Sequence, residues 1–166
     1  MQLRRPGRPH RVLPRIASGL LLALATACLD SGPSNTPSNP ATETYAPSLG
    51  VNISQMTRLS DALYIQDLAV GTGATAGVGK AITVTSTGWL VNGTQFDSNV
   101  GKAPYPLVLG ARQVIDGWDA GIVGMHVGGK RLLVIGSDLA YGPNQKGPLI
   151  SPNSTLVFTV QLLSAQ

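Results

Sequence analysis

The residues that could do chemistry are few, and an inventory excludes most conventional active sites. Beyond position 28 the chain has one histidine, His126, so a histidine metal site or a Ser-His-Asp triad has little to draw on. Ser137 has no G-x-S-x-G around it. The single cysteine, Cys28, permits neither an internal disulfide nor a zinc site built from Cys pairs. Gly77-Val78-Gly79-Lys80 matches a phosphate-binding loop only in part, because Ala74 and Ala81 stand where Gly and Ser/Thr are needed, and it reads as a surface turn. Asp116 and Asp119, three apart, read as solvated helix surface rather than an acid/base pair. What remains is aromatic. Tyr105 lies between two prolines and Tyr141 in a Gly/Pro-rich loop, where core alternation does not require them. Gln113-Val114-Ile115-Asp116-Gly117-Trp118 sets two branched apolar residues beside a tryptophan across one glycine. That stretch reads as the floor of an apolar cleft.

The elements that must position these residues are mostly strands. Leu63 and Ile65 alternate with Tyr64, Gln66, Leu68 and Val70, and Gly71-Thr72-Gly73 closes that strand. Residues 81–91 form the clearest strand, with Ile82, Val84, Ser86 and Leu90 on one face and threonines and Trp89 on the other. Asn92-Gly93 predicts a type I′ hairpin turn, and residues 94–98 return as the partner. Short strands are expected at 107–109 and 130–135, and residues 155–163 close the chain with Leu156, Phe158, Val160 and Leu162 facing one way. Ile115, Trp118 and Ile122 stripe one side of a two-turn helix that Gly124 and Gly128-Gly129 stop. One short helix cannot hide two sheet faces. The expected class is α+β, a single antiparallel β-sheet of about five strands curled around one short α-helix.

The formal charge of +4 belongs to the N-terminus, where five of twelve basic residues fall in the first fifteen positions. From Cys28 onward seven Lys/Arg face eight Asp/Glu, which excludes a nucleic-acid footprint on the body. The Arg-rich start precedes an apolar run at 16–27, too short to span a bilayer and built like an export signal. Residues 1–27 are expected to be removed as a signal peptide of the bacterial lipoprotein kind, leaving Cys28 lipidated at the mature N-terminus; an ordinary secretory cleavage nearby is the alternative. Leu29 after Cys28 tilts the expected location toward an outer membrane, facing the periplasm or cell exterior. Residues 28–58, rich in Ser, Pro and Asn, are expected to be a flexible tether, with the folded domain at 59–166.

From about Leu59 onward the ordered motifs resemble the FKBP-type peptidyl-prolyl isomerases. The markers are Thr87-Gly88, then Gly93 with Phe96-Asp97-Ser98, then Leu109-Gly110 and Val114-Ile115-x-Gly117-Trp118. Gly121, Met125, Val127 and Gly128 follow, with Ala140-Tyr141-Gly142 and Leu156-Val157-Phe158 last. The resemblance implies Trp118 as pocket floor, Val114, Ile115, Phe96, Tyr105 and Phe158 as apolar walls, and Leu149 over the mouth. It implies the Ile115 N–H and the Tyr141 hydroxyl as donors to substrate carbonyls, with Asp97 at the rim. For each aromatic the alternative is plain core packing, strongest for Phe158. The implied activity needs no nucleophile, metal or cofactor. An apolar cleft that binds the twisted X-Pro amide better than the planar one lowers a barrier of about 18–20 kcal/mol by differential binding. Implied partners are proline-containing segments of exported proteins and macrolide-type inhibitors, with the domain monomeric and membrane contact made through Cys28.

One departure matters most. Where the family usually carries Tyr before Thr-Gly, this chain has Ser86, which removes a large side chain from the inward face and a group thought to orient Asp97. Two functions therefore compete: a tethered isomerase, and a proline-segment binding module or chaperone with little turnover.

Overall fold

The computed structural model describes residues 36–166. The expected cleavage site, the lipidation site Cys28 and the first part of the tether lie outside the described residues.

Seven strands form one antiparallel sheet: β1 (Thr57–Ser60), β2 (Leu63–Ala69), β3 (Ala81–Leu90), β4 (Gln95–Ser98), β5 (Tyr105–Val108), β6 (Lys130–Ile135) and β7 (Leu156–Ala165). Their order is β1-β2-β6-β7-β3-β4, and β5 also pairs with β3. The α+β class is as expected, but the sheet has seven strands rather than about five. β1 is exposed at all four positions and carries no alternation to announce it. β5 begins at Tyr105, before the expected 107, because its edge position tolerates Pro106, which has no N–H to give a ladder. Tyr105 is therefore a strand residue, not a loop aromatic.

Among the described residues there is one α-helix, α1 (Asp116–Gly121), with Ile115 and Ile122 as its caps. Trp118 and Ile122 are buried against Leu133, Ile135, Leu156, Phe158 and Leu162 on the concave face of the sheet. A Cβ at Gly117 would sit 2.4 Å from Ile135 Cγ2, so only glycine allows this helix–sheet approach. At the C-terminal end of α1, Arg131 donates to the carbonyls of Gly121 and Val123 while gripping both Asp67 oxygens.

The opposite face of the sheet corrects the tether expectation. Tyr64, Leu132, Val134 and Val157 point away from the helix, and Tyr45, Leu49, Val51, Ile53 and Met56 cover them. From Ser38 the chain is already tied to the body. Its few apolar residues are spaced among Ser, Pro and Asn, so composition reads as disorder, while the apolar back of the sheet supplies the partner that ordering requires. The Tyr45 hydroxyl donates to the Pro40 carbonyl at 2.7 Å. Burial, with Glu43 and Tyr64 nearby, pushes its pKa well above the ordinary tyrosine value.

The β3–β4 hairpin also differs from expectation. Only Gly93 has positive φ, at 88°, and the Leu90 carbonyl accepts the Gly93 N–H. The Leu90 N–H in turn donates to Thr94, which makes a three-residue loop closed by a left-handed glycine instead of a two-residue type I′ turn.

Candidate active site

The concave face opens into a cleft of about 590 Å³. All ten residues expected there line it: Ser86, Phe96, Asp97, Tyr105, Val114, Ile115, Trp118, Tyr141, Leu149 and Phe158. They come from strands β3, β4, β5 and β7, the start of α1 and the long loop before β7. No single element could gather them.

Phe158 stands between two rings. It meets Phe96 edge-on at 5.5 Å and Trp118 edge-on at 5.3 Å, both at 87°. Perpendicular packing at these distances is the favoured aromatic geometry and fixes the three rings relative to one another. Gly88 makes room for it: a Cβ there would lie 2.7 Å from Phe96 and 2.8 Å from Phe158. Phe158 is 5% exposed, so it serves as core and as cleft wall together. Trp118 lies beneath with its indole N–H fully covered and unpaired. An unpaired buried donor costs about 1–3 kcal/mol, and it is borne at the base of the cleft. Tyr105 and Leu149 are half exposed and stand at the rim.

The polar groups are sparse. Ile115 has extended backbone as it enters α1, and its carbonyl accepts the Trp118 N–H, while its own N–H has no partner within the described chain. The Tyr141 hydroxyl likewise has no hydrogen-bond partner among the described residues. Burial first, and the Asp97 carboxylate second, raise the Tyr141 pKa, which keeps the hydroxyl a donor. Lys146 lies 5.5 Å from the centre of the Tyr141 ring. The carboxylate of Asp97, exposed on β4 opposite Gly88, receives no hydrogen bond from the described residues. Ser86 is inward and buried as the strand pattern predicts, and no side chain reaches Asp97 from its position.

Several positioning residues were not visible in the sequence. Asn99 lines the cleft and fastens the break between β4 and β5: its Oδ1 accepts the Ser86 N–H, and its Nδ2 donates to the Val84 and Ala103 carbonyls. Asp119 is not idle helix surface. Its two oxygens accept the Gly110 and Arg112 N–H groups at 2.9 and 3.1 Å, holding the turn that leads into Val114 and Ile115. Arg112 is one of only two non-glycine residues with positive φ among those described, which marks that turn as a place needing such a clamp. The Gln113 Oε1 adds to this by accepting the Val108 N–H. Asp116 is exposed, as expected.

Comparison with known proteins agrees with this geometry. The family model described as FKBP-type peptidyl-prolyl cis-trans isomerase matches residues 73–163. An FK506-binding protein of Neisseria meningitidis serogroup B is 51% identical over 102 residues, 61% of this chain and 94% of that protein. Among solved structures, a peptidyl-prolyl cis-trans isomerase of Pseudomonas syringae pv. tomato is similar with a TM-score of 0.60 at 33% identity, covering 67% of this chain and 80% of the other. FkpA of Escherichia coli also gives 0.60, at 36% identity over 67% of this chain and 51% of its own. By its matched residues, its sheet-and-helix architecture and its relatives, the chain belongs to the FKBP-type peptidyl-prolyl cis-trans isomerases.

Proposed function

We propose that the cleft binds an X-Pro segment with the proline ring over Trp118, walled by Phe96, Val114, Ile115 and Phe158, and accelerates its isomerisation without covalent chemistry. The observation that carries this is the pairing of a fixed aromatic trio with two unpartnered donors, the Ile115 N–H and the Tyr141 hydroxyl. X-Pro bonds isomerise unaided in tens to hundreds of seconds. A twisted amide has lost its resonance and is less polar, so an apolar cleft favours it, while the donors hold the neighbouring carbonyls in place. Proline-limited refolding of a test protein with the full chain added is the direct measurement. Acceleration at micromolar concentration is expected; an unchanged refolding rate would overturn the reading. Relatives named for binding FK506 suggest that a macrolide of that type competes for the same cleft.

A second reading is a proline-segment binder with weak turnover. It is favoured by Ser86, which leaves Asp97 without a donor from β3. On that reading Ser86→Tyr raises turnover substantially and leaves peptide affinity almost unchanged; a wild type that is already fast excludes it.

We further propose that the clients are exported proteins and that Cys28 carries a lipid. Support comes from the Arg-rich, apolar, small-residue pattern before Cys28. Incorporation of labelled palmitate that Cys28→Ala abolishes is the expected result.

A further inference from the structure

We infer that residues 38–46 are a strap that positions Tyr141, with Ser38 and Glu43 as positioning residues for the isomerase site. This rests on the reading of the Tyr141 hydroxyl as a donor to substrate.

Ser38 and Ser137 exchange two hydrogen bonds. The Ser38 N–H donates to Ser137 Oγ at 2.9 Å, and the Ser137 N–H donates to Ser38 Oγ at 2.8 Å. Ser137 is 1% exposed and begins the 3-10 turn Ser137–Leu139 that leads to Tyr141. Its carbonyl accepts the N–H groups of both Ala140 and Gly142, the two neighbours of Tyr141 in the chain. Ser137 is thus the hub on which the Tyr141 backbone turns, and the strap occupies both of its remaining polar atoms.

The strap also reaches the other stem of the same loop. Thr155, buried just before β7, donates from its hydroxyl to Glu43 Oε1. The loop between these stems carries Tyr141, Lys146, Leu149 and Ile150 into the cleft. Farther along, the Ala46 N–H donates to the Val91 carbonyl, on the hairpin that presents Phe96 and Asp97. Between Ser38 and Ala46 the strap therefore touches three supports of the cleft while contributing no residue to its lining. Closeness at Gly136 shows how tightly it is seated: a Cβ there would lie 3.0 Å from both Pro40 Cδ and the Ser38 carbonyl.

The test is a double-mutant cycle in the full chain, reading catalysed isomerisation of a proline peptide and the urea midpoint of each variant. Ser38→Ala should lower kcat/KM about three- to ten-fold, the loss expected when one hydrogen bond no longer holds a group in place. Ser38→Thr, which keeps the hydroxyl, should restore it. In a Tyr141→Phe background Ser38→Ala should add no further loss, because the hydroxyl being positioned is already gone. Glu43→Ala, on the opposite stem, should follow the same pattern and keeps the test open if Ser38→Ala folds poorly. Equal losses with and without the Tyr141 hydroxyl, or wild-type turnover in both strap variants, overturn the strap's role alone. Full activity in Tyr141→Phe overturns the donor reading, and the strap's role with it.

Discussion

The Asn99 amide lies against the Ser86 backbone, accepting its N–H at 2.7 Å, and so completes a stretch of β3 that neither β4 nor β5 pairs on the edge away from β7. β5 takes residues 81–84 of β3 and β4 takes 87–89, leaving Ser86 between them. Asn99→Ala would strand the Ser86 N–H and release the Val84 carbonyl directly behind the cleft wall. A stability loss of about 2–3 kcal/mol is expected from the urea midpoint, with turnover falling as the wall loosens. Asn99→Asp, which keeps the acceptor and loses the donor, should fall between. A wild-type midpoint for Asn99→Ala would show that the amide is not the fastening.

Alkaline behaviour follows from the tyrosines. Burial and Asp97 raise the Tyr141 pKa above its ordinary value of 10.0, so its hydroxyl remains a donor past that pH. Turnover should show no Tyr141 limb below pH 10.0, and Asp97→Asn should move the alkaline limb toward 10.0, read from a pH–rate profile. Stability runs the same way. Above 10.0 an unfolded chain releases tyrosine protons that the folded chain retains at Tyr45 and Tyr141, so stability is complete below 10.0 and falls as pH rises beyond it.

Arg131 and Asp67 should not be equivalent in mutation. Arg131 has a side chain 7% exposed and also serves the Gly121 and Val123 carbonyls, whereas Asp67 is 41% exposed. Arg131→Ala removes four hydrogen bonds and frees two carbonyls at the end of α1, at an expected cost of about 3 kcal/mol. Asp67→Ala removes two of these bonds and leaves Arg131 its carbonyl partners, so a smaller loss of about 2 kcal/mol is expected. Thermal midpoints of the two variants should separate accordingly, and equal losses would count against the carbonyl contacts.

Gly117→Ala sets two effects against each other. Alanine ordinarily favours a helix over glycine by about 1 kcal/mol. Here its Cβ would meet Ile135 at 2.4 Å, and overpacking costs about 1–3 kcal/mol. Net destabilisation is expected, and its increment should shrink in an Ile135→Ala background, which itself loses about 2–5 kcal/mol to a cavity. A stabilised Gly117→Ala would mean that the helix–sheet gap is wider than this contact requires.

Legibility in the sequence followed the kind of force involved. Trp118, Ile115, Phe96 and Phe158 could be read because apolar periodicity and motif order both act over short spans of sequence. Ser86 could be placed on the inward face by strand alternation alone. Asn99 and Asp119 could not, because their partners are backbone groups whose freedom exists only after the strands have paired. The order of segment 38–56 is hidden for a related reason. Composition measures what a stretch can bury by itself, and Tyr45, Leu49 and Ile53 bury themselves against Tyr64, Val134 and Val157 from distant strands.

The position of β7 has a kinetic consequence. Strands β1, β2 and β6 form one half of the sheet and β3, β4 and β5 the other, and the two halves are hydrogen-bonded only through β7. The edge facing β3 is engaged along the whole strand, Leu156–Leu90 to Ala165–Ile82, and the edge facing β6 along its first part, Leu156–Ile135 to Gln161–Lys130. The last of the described strands to be synthesised is thus the one that joins everything made before it. The edges of β6 and β3 that β7 pairs have no other strand partner, and the β2–β6 and β3–β7 pairings, of high sequence separation, favour slow folding. For a member of an isomerase family, the cleft itself is assembled only when this last of the described strands has found both of its partners.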